Sequence, residues 1–121
     1  MRVAIVAESF LPQVNGVTNS VLRVLEHLRE NGHEALVIAP HDEGVPDSYA
    51  GYPVIALSAM SMPGYADVRI GLTPTSGFER IFADFAPDVV HLAAPFAMGY
   101  NAVLATSRMS IPSVAVFQTE I

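Results

Sequence analysis

The residues best placed to do chemistry in this sequence are two carboxylates, a glycine and a histidine. Glu8 follows the apolar run Val3-Ala4-Ile5-Val6-Ala7, and Glu120 follows Ser113-Val114-Ala115-Val116-Phe117 with Gln118 and Thr119 between. A carboxylate beside a cleft can move a proton or hold a hydroxyl, although an ordinary loop acid has the same appearance. Gly16 follows Asn15 and opens a stretch in which Val17, Val21, Val24, Leu25 and Leu28 recur at helical spacing. The first N–H groups of a helix carry partial positive charge, so a phosphate can rest against them where no side chain intervenes. A plain helix cap at an Asn-Gly turn fits the same residues. His91 sits within the apolar run Val89-Val90-His91-Leu92-Ala93, where it is either a buried structural histidine or a base reaching the cleft from the strand end. His41 beside Asp42 is too sparse for a metal site, which needs three or four converging ligands; it reads as a solvated loop residue.

These residues need elements to hold them. Uninterrupted apolar runs of strand length suit parallel strands covered on both faces. Val3–Ala7, Ala35–Ala39, Pro53–Leu57, Val89–Ala93 and Ser113–Phe117 read that way. Helices are predicted over Val17–Asn31, over the Phe78, Ile81, Phe82, Phe85 stripe, and over about Met98–Met109. Asn31-Gly32 supplies a stop for the first, and Pro87 ends the second at the residue before it. Residues 40–52 read as a surface loop and Ser58–Tyr65 as an irregular apolar loop. Asp67–Leu72 reads as a short strand at an edge. The alternation predicts an open, doubly wound α/β sheet of Rossmann-like type, in which ligands sit beyond the carboxyl ends of the strands. That edge collects Glu8, Asn15 and Gly16, then His41, then Pro95, then Gln118, Thr119 and Glu120.

Composition excludes several alternatives. The chain has 121 residues, enough for one domain, and a net charge of −6 from 12 acids and 6 bases. An acidic, unpatterned surface disfavours nucleic acid. All bases are arginine, so a P-loop and Schiff-base catalysis are excluded, and the absence of cysteine removes thiol chemistry and disulfides. Gly16 lacks the companion glycines of a dinucleotide fingerprint, which argues against NAD. No apolar run approaches the ~18–20 residues of a membrane span, and Met1-Arg2 leads directly into a strand without a signal-peptide pattern. A cytoplasmic chain is expected. The last strand has no helix after it, which predicts the N-terminal part of a longer protein. Two other classes fit the same pattern: a free-standing flavodoxin-like binding module, and a piece that pairs with a partner or dimerises through its surplus apolar surface.

Three stretches carry a resemblance. Arg2–Pro12 with Asn15-Gly16-Val17-Thr18-Asn19-Ser20-Val21 and Gly32-His33-Glu34, then Pro87–Pro95, then Val114–Glu120, resemble in order the start of bacterial family-four glycosyltransferases of the GT-B fold. The likeness covers essentially the whole chain and is strongest to GDP-mannose-dependent mannosyltransferases that build cell-envelope glycolipids. It implies an N-terminal, acceptor-side Rossmann-like domain over residues 1–121 facing a second, donor-binding domain that the chain does not contain. It implies transfer of a hexose from a sugar nucleotide with retention, without metal or cofactor, to a lipid-linked or small polar acceptor. The 121-residue piece alone is then expected to be inactive. Gly16 matches the family's glycine loop near donor phosphate and acceptor, with Asn15, Thr18 and Asn19 around it. Many members carry a histidine where this chain has Gln118; glutamine can hydrogen-bond a sugar but is no base near neutral pH. Thr119 and Glu120 would line the acceptor side. The apolar loop 58–65 reads as packing on its own domain, with contact to a lipid-linked acceptor or the membrane surface as the alternative.

Overall fold

In the computed structural model, residues 1–7, 10–12, 16–41, 43–57, 59–62, 65–71, 74–93 and 97–115 are described. The order is β1 (Arg2–Val6), α1 (Gly16–Glu30), β2 (Glu34–Pro40), β3 (Ser48–Tyr49), β4 (Tyr52–Leu57), β5 (Ala59–Met62), β6 (Tyr65–Gly71), α2 (Thr75–Phe85), β7 (Val89–Leu92), α3 (Ala97–Arg108) and β8 (Ser113–Ala115). Six strands form one sheet in the order β3-β4-β2-β1-β7-β8, parallel throughout except where the two-residue β3 runs antiparallel to β4. The chain thus builds outward from β1 to β2 and β4, then returns to place β7 and β8 on the other side. This is the doubly wound sheet that the apolar runs predict.

The strands are apolar on both sides because each side has its own helices to cover it. Val3 and Ile5 of β1 with Ala7 just beyond it, and Ala35, Val37 and Ala39 of β2, pack with Val21 and Leu25 of α1. The intervening Ala4, Val6, Leu36 and Ile38 pack with Val90 and Leu92 and with Phe78, Phe82, Ala102 and Ala105 of α2 and α3. A two-residue period in the strands therefore sorts side chains into two cores. Phe78 and Phe82 are the largest fully buried side chains, and burying one such ring contributes roughly 1.5–3 kcal/mol.

The ends of the helices follow from local chemistry. Gly32 at φ +72° terminates α1, with its N–H donating to Arg29 O (3.2 Å) and the His33 N–H donating to Leu28 O (3.0 Å). Ala86 at φ 54° ends α2, and its N–H donates to Phe82 O (2.8 Å). Arg2 then fastens this end to the sheet. Its Nε and Nη2 donate to Phe85 O at 2.9 and 2.6 Å, and its guanidinium lies 4.3 Å from the centre of the Phe85 ring. Arg2 also pairs with Glu34, and its backbone N–H donates to Asp88 Oδ2.

Three expectations need correction. The loop at 40–52 contains the short strand β3, which pairs Ser48 with Pro53 and Tyr49 with Tyr52. The region expected as an irregular loop at 58–65 contributes β5, paired antiparallel with β6 in a separate two-stranded sheet. Consequently the strand expected at 67–72 is β6, at Tyr65–Gly71, and it has no place at the edge of the main sheet. The Pro63-Gly64 dipeptide between two short runs is the sequence signal for such a hairpin. The last strand is described over Ser113–Ala115, and the expected Val116 and Phe117 lie outside the described residues.

Candidate functional site

At the carboxyl ends of the parallel strands, β2 and β4 run about two residues beyond β1 and β7. Pairing continues past the strand ends: the Ala7 N–H donates to Ile38 O (2.9 Å), the Ala93 N–H to Val6 O (2.8 Å) and the His41 N–H to Leu57 O (2.6 Å). Between β1 and β7 the connections diverge, because α1 leaves β1 toward one face and α3 leaves β7 toward the other. This is the switch point at which such sheets form a crevice. Gly16 opens the 15-residue α1 directly after the β1 connection, so the partial positive end of a long helix arrives at this rim. A small anion or a polar oxygen held against those N–H groups is the interaction this arrangement offers.

The neighbours of Gly16 divide by burial. Thr18 is fully buried at 0% exposure, whereas Asn19 is exposed and Gly16 half-buried. Among the described residues of this turn Gly16 and Asn19 are open to a ligand, and Thr18 belongs to the interior beneath them. His41 is exposed on the rim. His91 is half-buried within β7, opposite Ile5 on one side and Val114 on the other. It lies two residues before the rim residue Ala93, roughly 7 Å along the strand. Burial lowers the pKa of its imidazole below the ordinary value of 6.5, which keeps the ring neutral near neutral pH. Glu8, Asn15, Pro95, Gln118, Thr119 and Glu120 lie outside the described residues.

Sequence reasoning missed the contacts made by the chain between β1 and α1. Phe10, 4% exposed, packs into the α1-side core, and its ring meets Tyr49 edge-on with centroids 6.4 Å apart and planes at 90°. The Tyr49 hydroxyl donates to Glu26 Oε1 of α1 at 3.1 Å. Burial, and then Glu26, raise the pKa of this phenol above its ordinary value of 10.0, so it remains a donor. Pro12 lies 3.5 Å from the point where a side chain on Gly44 would begin, and Gly44 holds φ +83°. Aromatic residues on either side of a Pro/Gly-rich stretch were the available signal.

Among the described residues no group of three or more His, Asp or Glu side chains could hold a metal ion. Among them, too, no helix is long and apolar enough to cross a membrane. Arg2 is committed to the opposite end of β1, and Arg108 to Glu79 at 3.2 Å.

A family model described as Glycosyltransferase Family 4 matches residues 14–121. A GDP-mannose-dependent alpha-mannosyltransferase of Corynebacterium glutamicum is 46% identical over 124 aligned positions, covering 100% of this chain and 30% of that protein. The protein of the same description from Mycobacterium tuberculosis is 49% identical, covering 100% of this chain and 33% of the relative. The chain thus spans about a third of the length of the curated relatives it matches. Among solved structures, MurG of Acinetobacter baumannii superposes with a TM-score of 0.64 at 16% identity, over 94% of this chain and 34% of that one, a likeness of fold.

Proposed function

Because this chain belongs to glycosyltransferase family 4, we propose that it is the acceptor-side part of a retaining enzyme that moves mannose from GDP-mannose to a glycolipid or other cell-envelope acceptor. The observation that carries this reading is the glycine-opened helix at the sheet's switch point, in a chain matched along its whole length by GDP-mannose-dependent relatives. In the whole protein, a second domain binds the nucleotide and closes over the rim.

The chemistry assigned to this half is modest. The acceptor hydroxyl attacks the anomeric carbon, the bond to the diphosphate breaks, and GDP leaves with the bonding electron pair. The hydroxyl proton passes to a leaving phosphate oxygen on the same face, which preserves configuration. N–H groups at the start of α1 stabilise negative charge as it grows on the phosphate, the kind of fixed-dipole contribution that needs no rearrangement during reaction. Gln118 donates and accepts hydrogen bonds without exchanging a proton, and Thr119, Glu120 and Asn19 hold sugar or acceptor hydroxyls. No metal or cofactor enters this scheme. The enzyme works in the cytoplasm, at the inner face of the membrane when the acceptor is a lipid.

Incubation of the full-length protein with radiolabelled GDP-mannose and a membrane lipid extract tests this. The expected result is label in the organic phase that requires both components. Label transferred from UDP-sugars and not from GDP-mannose would remove the donor assignment.

A further inference from the structure

We infer that Tyr49 is a positioning residue for the turn at Gly16, acting from outside the site through Phe10 and Glu26. This rests on the functional reading above, in which the start of α1 faces the donor phosphate. The chain reaches that start by leaving β1 at Val6 and passing Phe10 and Pro12. Among the described residues of this connection Phe10 is the buried one, with Leu11 packed beside it, and the Phe10 ring makes a T-shaped contact with Tyr49. The same tyrosine places its hydroxyl on Glu26, in the third turn of α1. One side chain therefore braces the connection before Gly16 and the helix after it. A second contact runs parallel to the first, where Pro12 packs at Gly44, four residues before β3.

The strand β3, only two residues long and at the sheet's edge, brings Tyr49 against the α1-side core. Its effect is to turn Tyr49 back over α1. The Tyr49 tie joins the connection before α1 to the body of the helix, so it bears on how the start of α1 is held more than on whether the helix forms. An edge-to-face pair and one phenol–carboxylate hydrogen bond are modest interactions individually. Their consequence for rate comes from geometry, since small misplacements in a reacting site cost disproportionately.

The test uses the full-length enzyme and compares Tyr49→Ala and Tyr49→Phe with Phe85→Leu, a substitution at the opposite end of the sheet that destabilises without touching the rim. We expect Tyr49→Ala to lower kcat/KM for GDP-mannose on the order of 10-fold, and hydrogen exchange over residues 10–18 to accelerate. Tyr49→Phe, which keeps the ring against Phe10 but gives up the hydrogen bond to Glu26, should fall between Tyr49→Ala and wild type. Phe85→Leu should lower thermal stability with kcat/KM and exchange at 10–18 unchanged. Should Tyr49→Ala fail to fold, Phe10→Leu removes the same ring contact and carries the same expectation. Activity that tracks Tm alike in the Tyr49 and Phe85 variants, or unchanged exchange at 10–18, would overturn the inference. A wild-type enzyme inert toward GDP-mannose would instead overturn the functional reading, and the exchange measurement would still decide the role of Tyr49.

Discussion

Gly16→Ala separates the functional role of the α1 start from its structural role. Gly16 is the first residue of a 15-residue helix and is half-buried. Alanine is the better helix former, by up to about 1 kcal/mol in a helix interior and less at the first position. The substitution should therefore leave stability unchanged or raise it by a few tenths of a kcal/mol. Activity should move in the opposite direction. A methyl group at the helix mouth displaces a phosphate by about 1 Å, which on general grounds costs 10- to 100-fold in rate. That corresponds to roughly 1.4–2.8 kcal/mol of lost transition-state stabilisation. Two measurements on the full-length enzyme suffice, a urea denaturation midpoint and kcat/KM for GDP-mannose. Wild-type turnover in Gly16→Ala would refute the placement of a phosphate at this turn. A loss of stability matching the loss of activity would show that the glycine serves the fold and not the ligand.

Other expectations follow from the packing. Arg2→Lys keeps a charge but loses the two-pronged donation to Phe85 O and the stacking on its ring, and should cost about 1–2 kcal/mol in urea unfolding. Glu34→Gln, which removes only the exposed ion pair at this site, should stay within about 0.5 kcal/mol of wild type. Phe82→Ala empties a fully buried ring position between sheet and α2, and should cost about 3–5 kcal/mol with little change in m. His91 gives a pH dependence. Its folded pKa lies below the ordinary 6.5, so its contribution is present above that value and is lost as pH falls through the folded pKa, because the unfolded chain takes up the proton more readily. Denaturation midpoints measured from pH 7 to 5 should fall less steeply in His91→Gln than in wild type.

Much of the fold was legible because its signals are local. Five apolar runs gave the parallel strands, and the spacing of Val21 with Leu25 and of Phe78 with Phe82 gave the buried faces of α1 and α2. Gly32 marked the end of α1 by the positive φ it adopts. The β5–β6 hairpin was not legible from alternation, since Ala59-Met60-Ser61-Met62 offers little contrast between its two faces. Of the site, the α1 start could be read from Asn15-Gly16 and the helix that follows. The burial of Thr18 could not, because a threonine in a first turn faces solvent as readily as core. The bracing by Tyr49 was also out of reach, since its partner Glu26 lies 23 positions away. Arg2 makes the same point more strongly, with its contacts at a separation of 83. Contacts of that kind are set by how the strands are ordered, which no short window of sequence contains.

The central claim is that the start of α1 is the phosphate-facing part of a sugar-transfer site. A crystal structure of the full-length protein with bound GDP-mannose tests it most directly. A diphosphate oxygen is expected within about 3.2 Å of a backbone nitrogen in the first turn of α1, with the mannose over the rim between β1 and β7. A diphosphate bound elsewhere, with the start of α1 closed off by the protein's own side chains, would contradict it.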